Sequence, residues 1–550
     1  MAFGKYSGGA IFMSKLHAGL SPQLILPHRR QLLSGLAAVV VGASAARAAA
    51  APTPSESFVN VRDFGATGDG VAIDSPAIDR AIAHATERGG GTVLVPAGVY
   101  ACYTIHLKSR IRLYLDQGAT ILAAPTPIEG MERGGYDQAE PIDPAYEAFQ
   151  DFGHGHWRNS LIHGENLNDI AIEGPGLIWG KGLGRGHVYD KDMPISGKPG
   201  VGDKAIALKN CRNVLLRDFK MLQAGWFALL ATGVDNLTID NLLIDTNRDG
   251  LDIDCCRNVR ITRCTINSPW DDAICPKSSY ALGYPRATEN VTISDCYVSG
   301  SYRIGSVLDG TWQAFLPAPK GTHGRIKLGT ESNGGFKNIT ITNCVFDKCR
   351  GIALETVDGA SLEDITISNI TMRGVTTAPI FMRLGKRMRG PGGAPVGTLK
   401  RILITNITSS GADRMPSIIA GLDGHPVEDV KISQCFLEQV GGGDEAMAML
   451  RPPENEKGYP EPNMFGDLPA SGFFVRHARN VELSQIEVRT LAPDARPAVW
   501  MQDVESARFS GLRLPKQKVL FRLEAVKDFE LRDSAPSRDR RISQAHPSAF

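Results

Sequence analysis

Five aspartates, Asp249, Asp252, Asp254, Asp271 and Asp272, fall in one short stretch of the chain, and Lys277, Arg325 and Lys327 follow them. Carboxylates gathered at one site repel each other, so one of them is expected to hold its proton more tightly than usual while a neighbour stays ionised. A protonated carboxyl can give its proton to a leaving oxygen, and an ionised one can take a proton from water. That is the division of labour glycosidic hydrolysis requires. Lys277, Arg325 and Lys327 place positive charge next to this cluster. Trp270 precedes the paired aspartates and offers a stacking surface for a sugar ring. His154 and His156, in Asp151-Phe-Gly-His-Gly-His-Trp, are further candidates for the cleft wall. The bland alternatives are solvated charges on an outer strand face and a long loop packed by its own histidines and Trp157. The clustering of the charges is what argues against them.

Bringing these residues together requires a fold that stacks distant segments. One pattern recurs along the chain: Asn236-Leu-Thr-Ile, Asn258-Val-Arg-Ile-Thr-Arg-Cys-Thr-Ile, Asn290-Val-Thr-Ile-Ser-Asp-Cys-Tyr-Val and Asn338-Ile-Thr-Ile-Thr-Asn-Cys-Val-Phe. Further copies begin at Asp364, Arg401, Asp429 and Asn480. The shortest interval, Asn236 to Asn258, is 22 residues, which is a solenoid period, and each copy holds only short β-branched strands between turn residues. A strand of three to five residues cannot bury its face alone. Stacked in successive coils, such strands form parallel sheets around one apolar interior. The expected fold is therefore all-β, a single-stranded parallel β-helix, with Asn and Asp at its corners able to form ladders between coils. The leucine spacing of a leucine-rich repeat is absent. In Leu251-Asp-Ile-Asp the apolar residues point inward, so Asp252 and Asp254 face outward. The same phase puts Arg325, Lys327, Glu355 and Arg383 on one outer ridge.

The remaining segments follow from this frame. Residues 57–125 carry Asp63-Phe-Gly-Ala-Thr-Gly-Asp-Gly and a helical stretch from Ser75 to Arg88, and are expected to cap the solenoid and form its first coils. Residues 126–533 form the β-helix, and residues 534–550 are expected to be a disordered tail. The long interval from Asn290 to Asn338 and the Pro/Gly-rich stretches Arg387 to Gly397 and Gly441 to Ser471 should protrude as loops and wall a cleft. Residues 1–50 read as a targeting segment: Arg29-Arg30 precede the apolar run Leu32 to Val41 and a small-residue stretch ending Ala48-Ala49-Ala50. Export to the periplasm or exterior follows, with twin-arginine transport one route. Past Pro52 no apolar run is long enough to span a bilayer. Formal charge is +1 from 60 basic and 59 acidic residues, so no global field draws the chain to nucleic acid or an anionic membrane. Among ten cysteines, Cys264, Cys296, Cys344 and Cys435 share one repeat position and read as a column of buried thiols. Cys344 with Cys349 is an alternative local bridge, and one between Cys255 and Cys256 would be strained.

Asn247-Arg-Asp-Gly-Leu-Asp, Ser268-Pro-Trp-Asp-Asp-Ala-Ile and Arg325-Ile-Lys, in this order on a β-helix, resemble glycoside hydrolase family 28, the polygalacturonase family. The resemblance runs from about Phe58 to the last coils and implies a right-handed, pectin-lyase-like solenoid. It implies Asp271 as general acid, Asp249 and Asp272 as the pair that activates water, and Arg325 with Lys327 as the uronate-carboxylate site. It further implies inversion at the anomeric carbon, with acid and base roughly 6.5–9.5 Å apart. The substrate implied is a pectic polysaccharide or oligogalacturonide, with no cofactor and no metal. Two positions depart from the family pattern. Gly300, in Ser299-Gly-Ser-Tyr-Arg-Ile-Gly-Ser, stands where a Gly-His-Gly histidine is expected, leaving Tyr302, Arg303 and His323 as candidates to replace it. Arg248 stands where threonine is common.

Two other functions fit parts of the pattern. A calcium-dependent uronate lyase would use the aspartates as metal ligands and Lys277 or Lys327 as base. A non-catalytic glycan-binding solenoid would explain the repeats but not the constellation of charges.

Overall fold

Parallel strands repeat along nearly the whole chain in the computed structural model, which describes residues 58–125, 135–151, 153–184, 199–316 and 322–550. Each coil contributes three strands. One column runs through Arg212–Arg217, Asp235–Asp240, Arg257–Thr262, Thr288–Ser294 and Phe336–Thr342, paired in register. A second runs through Lys220–Leu222, Leu243–Asp245, Thr265–Asn267, Tyr297–Ser299 and Val345–Asp347. The third, which carries the chemistry, is a six-stranded parallel sheet that includes Ser160–Glu165, Lys204–Lys209, Phe227–Thr232, Asp249–Asp254 and Ile274–Lys277. A bridge between Ile274 and Ile326 carries this column on to Lys327–Leu328, Ile352–Thr356 and Ile380–Leu384. The architecture is the parallel β-helix expected from the repeat.

The repeat residues explain the stacking. Val259, Ile261, Ile266, Val291, Ile293, Val298, Ile339, Ile341 and Phe346 fill the interior and are essentially inaccessible. Each such side chain contributes roughly 1.5–3 kcal/mol by leaving water. Asn213, Asn236, Asn258, Asn290 and Asn338 sit at the corner with φ between 54° and 59°, a left-handed conformation that asparagine tolerates. Their amides form a ladder in which Nδ2 donates to the Oδ1 of the coil below, at 2.9, 3.2, 3.0 and 2.8 Å from Asn236 to Asn338. All ten cysteines are buried free thiols, which bears out the column and removes the Cys344–Cys349 and Cys255–Cys256 bridges.

Both ends are closed. The helix Ser75–Glu87 lays Ala77, Ile78, Ala81, Ile82 and Ala85 against the first coils. At the other end the expected disordered tail is instead ordered: Arg540–Ala545 and Ser548–Ala549 turn back and pair antiparallel with Phe521–Arg532. Apolar residues spaced among its charges are the physical reason. Phe550 stacks on Phe521 at 5.1 Å, and the tail covers a sheet edge that would otherwise stay unpaired. The proposed export segment lies outside the described residues. Among the described residues no helix is long and apolar enough to cross a membrane.

Candidate active site

Strand register brings the aspartates together. Phe227 pairs with Asp249 and Leu230 with Asp252, and on the other side Asp252 and Asp254 meet Cys275 and Lys277. Leu251 and Ile253 point into the core, so the aspartates face away from it, as alternation requires. They are nonetheless buried, because loops lie over this face: Asp249, Asp252, Asp254, Asp272, Lys277, Arg325 and Lys327 are all nearly inaccessible. The outer ridge of charges is roofed over. Arg383 is likewise buried, donating to the carbonyls of Gly421 and Glu454.

Asp272 lies between two cations. The Lys327 ammonium is 2.5 Å away and Arg325 Nε donates to it at 2.9 Å. Burial pushes its proton affinity up, but Lys327 and Arg325 outweigh burial and hold the carboxyl well below the usual range. Arg325 has a further partner in Glu461, 2.5 Å away, which also pairs with Arg350 at 2.8 Å. Arg325 and Lys327 are therefore not presented to solvent as an open carboxylate clamp. They neutralise protein carboxylates, one of them supplied by the long 442–471 loop.

Asp249 and Asp271 behave differently. Burial, then the charges of Asp271 and Asp252, push Asp249 well above the ordinary carboxylate range. Asp271 retains 19% side-chain exposure and forms a short ion pair with Arg248, whose guanidinium is also 3.7 Å from Asp249. Burial raises Asp271 too, yet Arg248 and then His323 bring it below the ordinary value. In the free protein the proton therefore favours Asp249, the reverse of the order implied by an Asp271 acid. Arg248 lies 3.9 Å over the Trp226 ring, and its own burial is more than offset by Asp271 and Asp249.

His323 is the histidine that lies against Gly300. A side chain at Gly300 would meet the His323 carbonyl oxygen at 2.7 Å, so the two backbones are in contact. His323 Nδ1 lies 3.7 Å from Asp271. Burial pushes this imidazole down to about 4, so it is neutral at ordinary pH. Tyr302 and Arg303 lie away from Asp271. Tyr302 donates to Asp347 at 2.7 Å in a separate pocket with Tyr297 and Trp312, and Arg303 is exposed. Trp270 is half-buried beside Phe315, 5.8 Å between ring centres.

His154 reaches over the sheet, donating from Nε2 to Asp252 at 2.9 Å with Nδ1 3.3 Å from Glu331. Burial lowers its proton affinity, but Glu331 and the Asp252 hydrogen bond raise it more. Lys277 is 3.8 Å from Asp252 and also faces Asp249 and Glu331. His156 pairs through Nδ1 with the Glu140 carbonyl at 2.8 Å, and burial with nearby Lys204 lowers it. It holds the loop rather than joining the aspartates. Glu331, Glu461 and Trp226 were not singled out from sequence. Glu331 had a signal, since the outward phase of Arg325 and Lys327 continues to it; Glu461 lies 136 residues from Arg325 and had none.

Two sets of side chains have metal-ligand spacing here, Asp271 with Asp272 and His323, and Asp151 with His154 and Glu331. In the first, Lys327, Arg325 and Arg248 already neutralise both carboxylates, which disfavours a divalent cation.

Fold and acidic cluster together have the form of a parallel β-helix glycoside hydrolase. Residues 146–316, which include all five aspartates, match the model for glycosyl hydrolases family 28, and residues 58–146 match that for rhamnogalacturonase A/epimerase, pectate lyase-like. The chain thus bears out its resemblance to family 28. A Vitis vinifera protein described as a probable polygalacturonase is 24% identical over 333 residues, 56% of this chain and 60% of that protein. A Juniperus ashei polygalacturonase is 24% identical over 70% of this chain and 68% of its own length. In fold, the chain is similar to an exopolygalacturonase from Thermotoga maritima, with a TM-score of 0.55 and 19% identity over 79% of this chain and 92% of that one.

Proposed function

We propose that the protein hydrolyses glycosidic bonds to galacturonic acid in pectic polysaccharides or oligosaccharides. The observation that carries this reading is the pair Asp249 and Asp271, pushed in opposite directions at a partly open site with Arg248 between them. One carboxyl pushed toward its protonated form beside one pushed toward its ionised form is the division that an acid and a base acting together need. In the inverting mechanism Asp271 protonates the leaving oxygen while Asp249 takes the proton of the attacking water. His323, neutral, lies beside Asp271 with Nδ1 3.7 Å away. Asp272, fixed between Lys327 and Arg325, supplies a permanent negative charge beside the acid. The loops that bring His154 and Glu461 over the sheet favour attack at a chain end, because they wall part of the face along which a polymer would run.

Asp271→Asn keeps the shape and removes the acid. Reducing-end release from polygalacturonate is expected to fall by roughly 10²–10⁴-fold, with the thermal melt unchanged. Full activity in this variant would remove Asp271 from the mechanism.

A further inference from the structure

Glu461 stands in the sequence Tyr459-Pro460-Glu461-Pro462. The proline that follows keeps it out of helical geometry, and its backbone is extended, with φ −128° and ψ 149°. The loop is pinned on both sides of it: Arg383 donates to the Glu454 carbonyl at 2.8 Å, and Phe465 and Leu468 are buried in an apolar cluster with Phe474 and Trp500. With the backbone held, the Glu461 side chain is the part left to turn. Its Oε1 lies 2.5 Å from Arg325 Nη2 and 2.8 Å from Arg350 Nη1, while Oε2 is buried without a hydrogen-bond partner among the described residues. The Glu461 and Arg350 side chains are each 12% exposed, whereas that of Arg325 is 0% exposed and that of Lys327 3%. A carboxylate arriving from solvent therefore meets Arg350 and Glu461 first, and Arg325 lies behind them.

Resting on the hydrolytic reading above, we propose that Glu461 is a resident stand-in for the substrate's carboxylate: it sits on Arg325 and Arg350 where the uronate binds, and the sugar enters by exchange as the Glu461 side chain turns out to solvent. This is the strand face that the family resemblance gives to the uronate carboxylate through Arg325 and Lys327. Arg350 extends it toward the next coil, since it directly precedes the strand Ile352–Thr356 that pairs with Lys327–Leu328. Charge is the reason for the device. Arg325 is fully buried, and a buried cation without a carboxylate is costly, so the empty site keeps a carboxylate of its own. Replacing one carboxylate by another leaves the charge facing Asp272 unchanged, whereas a second one added beside Glu461 would be repelled. Glu461 offers a single oxygen to both guanidiniums; an entering uronate brings two, one for each fork. Glu461 thus competes with the substrate and sets how tightly an acidic sugar is held.

The test compares the wild-type protein, Glu461→Gln and Glu461→Asp on a galacturonide oligomer, with free galacturonate as inhibitor. Glu461→Gln keeps the shape and removes the competing charge, so KM and the inhibition constant of galacturonate should both fall by roughly 10-fold, with no matching fall in kcat. A residue that merely holds Arg325 and Arg350 in place predicts the opposite sign. Values that stay at the wild-type level or rise overturn the proposal. Glu461→Asp, one methylene shorter, keeps the charge but reaches the guanidiniums less well; it should fall between the two, and it carries the test if the glutamine variant does not fold. A second readout needs no turnover. Galacturonate should raise the melting temperature of the variants more than that of the wild type, because it pairs with unmatched cations in the one case and replaces a carboxylate in the other; equal shifts overturn the exchange. A wild-type protein that releases no reducing ends from the oligomer overturns the hydrolytic reading instead, and the melting shifts still decide whether Glu461 stands in for a uronate.

Discussion

At the scale of single residues, Asp271 and Asp272 are neighbours in sequence with opposite fates. Asp271 lies at the solvent-reaching end of the site; Asp272 is enclosed with Lys327 and Arg325, all three inaccessible or nearly so. Removing one partner of such a buried group leaves uncompensated charge, and the cost exceeds that of an exposed pair. Asp272→Asn is therefore expected to destabilise the fold by about 3–5 kcal/mol, measured by urea unfolding. Because the folded carboxyl lies well below the ordinary aspartate value of 3.8, its contribution is present above that value and is lost as pH falls through the lower folded one. An unfolding midpoint unchanged by Asp272→Asn would contradict this arrangement. Outward alternation of Asp252, Arg325 and Lys327 was legible in the sequence, since strand phase depends on adjacent residues. Their burial was not, because the covering groups arrive from loops: His154 lies 98 residues from Asp252, and Glu461 comes from beyond three later coils. His323 was legible only as a loop residue near Gly300; the backbone contact that places it beside Asp271 is a tertiary fact.

At the scale of elements, the corner asparagines wrote the solenoid into the sequence, and the ladder between Asn236, Asn258, Asn290 and Asn338 is the direct physical counterpart of that repeat. The first coils rely on a different device. His106 bridges Asp79 of the Ser75–Glu87 helix, at 2.7 Å, and Asp137, at 2.8 Å. Hydrogen bonds to Asp137 and then Asp79 raise this histidine from 6.5 to about 10. A raised folded value stabilises fully below the unfolded one, so the clasp is complete below about 6.5 and is lost as pH rises through about 10. The wild-type melting temperature should therefore fall more steeply between pH 7 and 10 than that of His106→Gln. Parallel declines would show that the clasp does not hold the cap. The C-terminal strands were misread for the opposite reason to the asparagines: Ile542, Ala545 and Phe550 are sparse among charges and carry no repeat, yet they suffice to pair with Phe521–Arg532.

At the scale of the whole molecule, a long sheet face is roofed by loops at His154 and at Glu461, and the partly open groups between them include Asp271, its partner Arg248 and two tryptophans. A solenoid supplies the straight face along which a sugar chain can lie, and the loops decide how much of it is free. Cations hold both Asp271 and Asp272, which disfavours a divalent metal between these two carboxylates. The most direct measurement is the product of polygalacturonate turnover by the wild-type protein in the presence of a chelator, following reducing ends and ultraviolet absorbance together. Steady release of reducing ends as short saturated sugars, with no gain in absorbance, is the expected result. An unsaturated, absorbing product, or activity abolished by the chelator, would contradict the account.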